Sequence, residues 1–263
     1  MTPKLMLFMA LCVFLAGQSI AQNAAPPLPG YKLFWSDDFP GNKLDHTKWD
    51  YRTDSKGLSM QKPENVIVAN GTLKLLLKKE ESGKMHYSGA GVISKQAFKF
   101  GYYEARLKVP SSPGWHTSFW MMKYQENKGT SASKACQELD VIENDSKNQK
   151  SYSCNVHKWR DGHIQLGTKN IRTPILSEDF HIYGCEFTPS NVNYFFDGKL
   201  VSSVDVTNAA KKSKDGITEF LPFQLGDQNI WLTSIGYGDP RQMDESMLPT
   251  TAEYTYVRFY QKE

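Results

Sequence analysis

Apolar and polar residues along this chain alternate in short runs separated by turn residues, and no amphipathic helix of useful length interrupts them. Asn65–Val68 is followed by Asn70-Gly71 and then by Leu73–Lys78. Further runs cover Gly91–Ser94, Gly101–Val109, Ser118–Met122, Glu138–Glu143, Ser151–Trp159, His181–Thr188, Val192–Phe196, Leu200–Val206, Asn229–Ser234 and Glu253–Gln261. Asp197-Gly198, set between two alternating runs, predicts a tight hairpin. Glu245–Leu248 predicts one helical turn. Many short strands with turn signals between them predict an all-β sandwich or barrel.

One run departs from the pattern. Glu138-Leu139-Asp140-Val141-Ile142-Glu143 sets three carboxylates inside an otherwise apolar strand. Burying unpaired acids is costly, so the run asks for a chemical reason. Side chains alternate along a strand, which puts Glu138 and Asp140 on one face and Leu139 and Val141 on the other. Glu143 falls on the wrong face unless one of Val141 and Ile142 is an extra residue. A β-bulge there returns it to the side of the other two acids. Two carboxylates across a glycosidic bond are the equipment of a glycosidase, about 5 Å apart in the retaining type. A central Asp can hydrogen-bond the nucleophile and keep the two proton affinities apart. An ordinary solvated strand with coincidental acids is the competing reading of the run alone.

Aromatic residues make up 13% of the chain, with 13 Tyr and 6 Trp. Sugars present C–H faces that stack on such rings. Pro113–Trp120, just before the acids, holds a cluster in which Trp115 or His116 is expected at the cleft, with Phe119 or Trp120 packed inside. On Ser151–Trp159, Asn155, His157 and Trp159 share one face, and Tyr152, Cys154 and Val156 the other. The first face suits a sugar, so all three are candidate substrate contacts. A lone strand histidine is more often structural, and the company of His157 moves that balance.

Composition narrows the rest. The formal net charge is +3 with Lys and Arg dispersed, so no nucleic-acid groove is indicated. Lys4 and the apolar run Leu5–Gly17, too short to span a bilayer, read as a signal peptide ending at Ser19-Ile20-Ala21. The expected protein is therefore secreted or periplasmic, with residues 1–21 removed, a linker at 22–30 and one domain at 31–263. A lipid anchor at Cys12 is disfavoured, because no small-residue lipobox precedes it. Cys136, Cys154 and Cys185 are odd in number and form no disulfide framework. Cys136 with Cys154 is the pair to test, though three small buried apolar side chains is the preferred reading. No CxxC, HExxH or P-loop spacing exists, so no metal or cofactor is expected. A monomer is the default.

With these residues in view, the chain resembles glycoside hydrolase family 16. Glu138, Asp140 and Glu143 match the bulged Glu-x-Asp-x-x-Glu signature. Phe34–Phe39 with Leu44-Asp45 and Lys48-Trp49 resembles the family's opening strand and turn. Gly101–Arg106 resembles its G-x-x-E-A-R strand, and Phe180–Pro189 followed by Tyr194–Gly198 another of its segments. The resemblance implies a β-jelly roll of two antiparallel sheets with a concave cleft. It implies retaining hydrolysis of internal β-linkages in a polysaccharide, a β-glucan or β-galactan. Glu138 would be the nucleophile, Glu143 the acid/base, and Asp140 the support of Glu138. One departure stands out. Glucan-cleaving members read Gly-x-Trp-Pro-Ala-Phe-Trp before the acids, and this chain reads Gly114-Trp115-His116-Thr117-Ser118-Phe119-Trp120. Either a residue is inserted or His116 replaces the stacking ring. Two rivals remain at this point: a jelly roll that binds polysaccharide without cutting it, and a transglycosylase.

Overall fold

In the computed structural model, residues 27–125, 130–131, 137–158, 163–207, 209–212, 218–221 and 226–263 are described. Cys136, Trp159 and the leader lie outside them. The architecture is all-β. The site sheet runs, in spatial order, β2 (Trp49–Tyr51), β7 (Met85–Phe98), β20 (Gln228–Gly236), β9 (Trp115–Met122), β12 (Glu138–Asp145), β13 (Ser151–Lys158) and β14 (Ile164–Arg172). The back sheet runs β5 (Val66–Ala69), β6 (Thr72–Ser82), β21 (Thr250–Lys262), β8 (Gly101–Lys108), β15 (His181–Phe187), β16 (Asn191–Phe196) and β17 (Lys199–Asp205), with β1 (Tyr31–Asp37) beside the far end of β21. All these pairings are antiparallel. The hairpin of β6 and β7 ties the sheets together at one edge. Short pairs β3 (Ser55–Lys56) with β4 (Ser59–Gln61), β10 (Tyr124–Gln125) with β11 (Thr130–Ser131), and β18 (Ala209–Lys212) with β19 (Thr218–Leu221) complete the described strands. This is the jelly-roll sandwich expected from the sequence.

The turn chemistry explains two of the hairpins. Asn70-Gly71 and Asp197-Gly198 both hold positive φ at both residues (53° and 69°, 46° and 75°). That is the geometry whose twist matches a two-residue hairpin, and Asn, Asp and Gly adopt it most readily. Glu245–Met247 forms the expected single turn, as a 3-10 helix. No helix among the described residues is long and apolar enough to cross a membrane.

Between the sheets lies one large core. Phe119, Met121, Leu139, Val156 and Leu232 from the site sheet meet Leu73, Leu75, Leu107, Tyr183 and Tyr254 from the back sheet, all of them buried. Cys154 and Cys185 are buried in the same core as small apolar side chains. The alternate residues of the site sheet face outward. There a second, smaller apolar group forms from Ile93, Trp120, Met122 and Trp231. The acids stand on that outward face.

Candidate active site

The strand register builds the site. Within β12, Glu138 pairs with Met122 of β9 and His157 of β13, and Asp140 pairs with Trp120 and Asn155. The next pairing to β9 is Ile142 with Phe119, so Val141 is the extra residue of a bulge. Beyond it, Glu143 pairs with Ser118 and Ser153, and Asp145 with His116. The bulge therefore returns Glu143 to the face of Glu138 and Asp140. Val141 and Ile142 both reach the core, which holds the distortion in place.

Asp140 is the most enclosed of the three acids, at 3% exposed. Burial, and then the charge of Glu143, push its carboxyl well above the usual range, against a weaker pull from His116. Folding thus makes the Asp140 proton harder to remove than it is in the unfolded chain. Nε2 of His157 lies 3.1 Å from Asp140 Oδ2, although that oxygen has no hydrogen bond of good alignment. Burial lowers the His157 imidazole and keeps it neutral, and its Nδ1 sits 2.8 Å from Nε2 of His163. The two imidazoles are stacked.

Glu143 behaves differently. Burial raises its carboxyl, but His116, Asn155 and His157 together outweigh this, and the net direction is down. Asn155 Nδ2 donates to its Oε2, and the Asn155 carbonyl is held in turn by Gln165 Nε2 at 2.8 Å. The β14 backbone reaches Asn155 so closely because residue 167 is glycine: a Cβ there would sit 2.2 Å from the Cys154 carbonyl oxygen. On the other side, His116 Nε2 is 3.5 Å from Glu143 Oε1, and His116 Nδ1 is 2.8 Å from Asp145 Oδ1. Two neighbouring carboxyls with opposite tendencies are the mark of a site that separates acid–base roles.

Asp140 yields a stability prediction. A carboxyl raised by folding binds its proton more tightly in the native state. Stability is then full at low pH and falls as pH rises from about 3.9, the unfolded value, towards the raised native value. Asp140→Asn removes that loss. Its stability relative to the parent is expected to be higher at pH 7 than at pH 4, measured by urea unfolding at both. Equal differences at the two pH values would contradict a raised Asp140 carboxyl.

The structure brings together Glu138, Asp140, Glu143, His116, Asn155 and His157. It does not bring Trp115. That residue is 1% exposed and packs with Leu77, Tyr87 and Met243, away from the acids. The reason is parity: β9 is unbroken against both neighbours, so Trp115 and His116 face opposite ways. Of the two rings offered for the inside, Phe119 packs in the core, while Trp120 lies on the acid face, tilted against Trp231 with ring centres 4.7 Å apart. Trp159 lies outside the described residues. Asp145, His163, Gln165 and Tyr237 were not singled out as site residues. Asp145 was legible, because it follows Glu143 by two and shares its face. Glu138, Asp140 and His157 can each bring one ligand atom within 4.8 Å of the others, a spacing a cation could use. The trio carries no metal assignment.

An all-β sandwich bearing three acids around a bulge on its outward face defines a glycoside hydrolase. The family profile described as "Beta-porphyranase A-D, GH16 domain" matches residues 34–262. The chain belongs to glycoside hydrolase family 16, and it is an endo-acting β-glycanase. It is 26% identical to a beta-glucanase of Rhodothermus marinus, over 95% of this chain and 92% of that one. It is 32% identical to beta-porphyranase D of Zobellia galactanivorans, over 60% of this chain and 45% of that one. Among solved structures, it is similar to one from work on endo-acting O-glycanases with which human gut bacteria initiate mucin breakdown. The TM-score is 0.72 and the identity 25%, covering 90% of this chain and 93% of that one.

Proposed function

We propose that this glycanase cuts internal β-galactoside linkages of a galactose-containing glycan by double displacement. Glu138 attacks the anomeric carbon while Glu143 protonates the leaving oxygen. Glu143 then deprotonates the water that releases the sugar from Glu138. Asp140, beside the nucleophile and with its carboxyl pushed up by burial, supports it by hydrogen bonding. Asn155, His157 and His116 line the same face.

The observation that carries the galactose reading is the unbroken β9. With no inserted residue, His116 stands where the glucan-cleaving pattern keeps tryptophan. The β-glucans carry their free ring hydroxyls equatorial, so a sugar face can lie flat on an indole. The axial O4 of galactose gathers polar groups on one face, and a hydrogen-bonding imidazole can meet that face. The porphyranase-type profile and the similarity to a porphyranase support the same choice. The Lys4 and Leu5–Gly17 leader supports action outside the cytoplasm.

The test is a panel of porphyran, agarose, κ-carrageenan and galactose-containing mucin glycans, beside laminarin and mixed-linkage β-glucan. A ladder of short products from at least one galactose-containing glycan, and none from the two glucans, is expected by mass spectrometry. Cleavage confined to laminarin or the mixed-linkage glucan overturns the galactose reading. Products longer than an added oligosaccharide would identify transglycosylation.

A further inference from the structure

The acid/base carboxyl has a neighbour that the double-displacement scheme leaves unused. His116 lies between two carboxylates on the acid face. Its Nδ1 takes Asp145 at 2.8 Å, which fixes the tautomer and leaves Nε2 facing Glu143 Oε1 at 3.5 Å. A carboxylate behind an imidazole orients the ring and favours its cationic form. The ring also leans on exposed Tyr237, with centres 5.1 Å apart, so it is held from three sides.

We propose that His116, clamped by Asp145, is a positioning residue that serves as the proton reservoir of Glu143. This rests on Glu143 being the acid/base. At rest the pair holds one proton, on Nε2, with Glu143 ionised. For the first step that proton passes from Nε2 to the Glu143 carboxyl and on to the leaving oxygen. Glu143 ends as carboxylate and His116 as neutral imidazole. In the second step Glu143 takes a proton from the attacking water and returns it to Nε2. No proton is gained or lost over the cycle beyond the water consumed.

The charges around the pair agree with this balance. Burial disfavours the cation, but Asp145 and Glu143 outweigh it and hold His116 up at about 9. Asp145 is held low, first by its bond to His116, then by the ring's charge and by Lys147. Glu143 also faces Asp140, whose carboxyl is pushed up by burial and by Glu143 itself, and His157, whose imidazole is pushed down by burial. When two groups share one proton, the pH profile reports the pair and not either group alone. The basic limb of kcat/KM therefore belongs to loss of the pair's last proton. A lone carboxyl would lose activity at much lower pH.

The experiment compares wild type, His116→Gln and Asp145→Asn, using whichever glycan of the panel is cleaved, with circular dichroism to verify folding. In wild type the basic limb is expected near pH 9, matching the His116 ring. In His116→Gln the limb is expected to fall into the carboxylic-acid range, and it is this position of the limb, not the absolute rate, that reads the reservoir, because loss of the ring also removes a sugar contact. Asp145→Asn keeps the ring but weakens its cation, so the limb is expected in between. The reservoir can also be read without turnover: by NMR, the His116 ring should titrate well above an ordinary histidine, and Glu143→Gln should lower it. An unchanged basic limb in His116→Gln overturns the proposal. So does a limb that moves upward, because His116 would then only be holding Glu143 ionised. Glu143→Gln separates the two readings. Full activity in that variant removes Glu143 as acid/base, whereas an inactive Glu143→Gln beside an unaltered His116→Gln profile removes the reservoir alone.

Discussion

Glu143→Gln is expected to lower kcat/KM by about 10² to 10⁴-fold, the usual worth of a general acid–base group. Glu138→Gln is expected to cost more, because without a nucleophile no covalent intermediate forms. Neither change should unfold the protein. Glu138 and Glu143 are only half-buried, and a glutamine fills nearly the same volume. In Glu143→Gln the new side-chain carbonyl oxygen can still accept from the Asn155 amide. Small anions separate the two roles. With Glu143→Ala, azide can attack the glycosyl intermediate that still forms on Glu138, and a β-configured glycosyl azide is expected. With Glu138→Ala, azide occupies the vacated space and attacks the substrate directly, which gives the α-configured product. The anomeric configuration by NMR therefore assigns the residues one by one. Ordinary turnover in either glutamine variant would remove that residue from its role. Azide products with the configurations exchanged would reverse the two assignments.

How much of this site the sequence carried depends on whether the information was local. The bulge was legible because parity is a property of consecutive residues: three acids can share a face only if one of Val141 and Ile142 is extra. Which one is extra was not legible, since the answer is the pairing of Ile142 with Phe119 on another strand. The choice between Trp115 and His116 for the cleft, and between Phe119 and Trp120 for the core, stayed open in the sequence for the same reason. Tryptophan is apolar enough for the core and broad enough for a sugar, and only its register against the acids decides which. Strand β14 escaped notice because its pattern is weak. Ile164, Leu166 and Ile171 break step around Gly167, and Asn170 sits at φ +58°. With that strand went Gln165 and the support it gives Asn155.

Trp49→Ala is expected to be the most damaging single truncation in the opening segment. Trp49 is fully buried, and its indole packs on Trp35 at 5.4 Å and on Phe39 at 6.1 Å. Its Nε1 donates to Asp37 Oδ2 at 2.7 Å, while Asp37 Oδ1 accepts from the Phe39 amide at 2.9 Å. Asp37, on β1 of the back sheet, is 2% exposed, so the indole is the chief partner of one buried carboxylate oxygen. The turn that presents Trp49 is local: Asp45 accepts from the amide and hydroxyl of Thr47, and its carbonyl accepts from the amides of Lys48 and Trp49. Truncation removes a large ring, at about 3–5 kcal/mol, and strands Asp37 at a further ~1–3 kcal/mol. That sum rivals the whole stability of a domain, about 5–15 kcal/mol. Trp49→Phe keeps most of the packing and loses only the N–H, so it isolates the smaller figure. Urea unfolding of the three proteins should therefore rank wild type, then Trp49→Phe, then Trp49→Ala, with the second interval the larger. Trp49 pairs with β7 at Ser94, two strands away from the β9 that adjoins the acids. Activity per folded molecule should consequently survive in Trp49→Phe. A loss below about 2 kcal/mol in Trp49→Ala would show that the site collapses around the missing ring and that β1 and β2 are held together by something other than this indole.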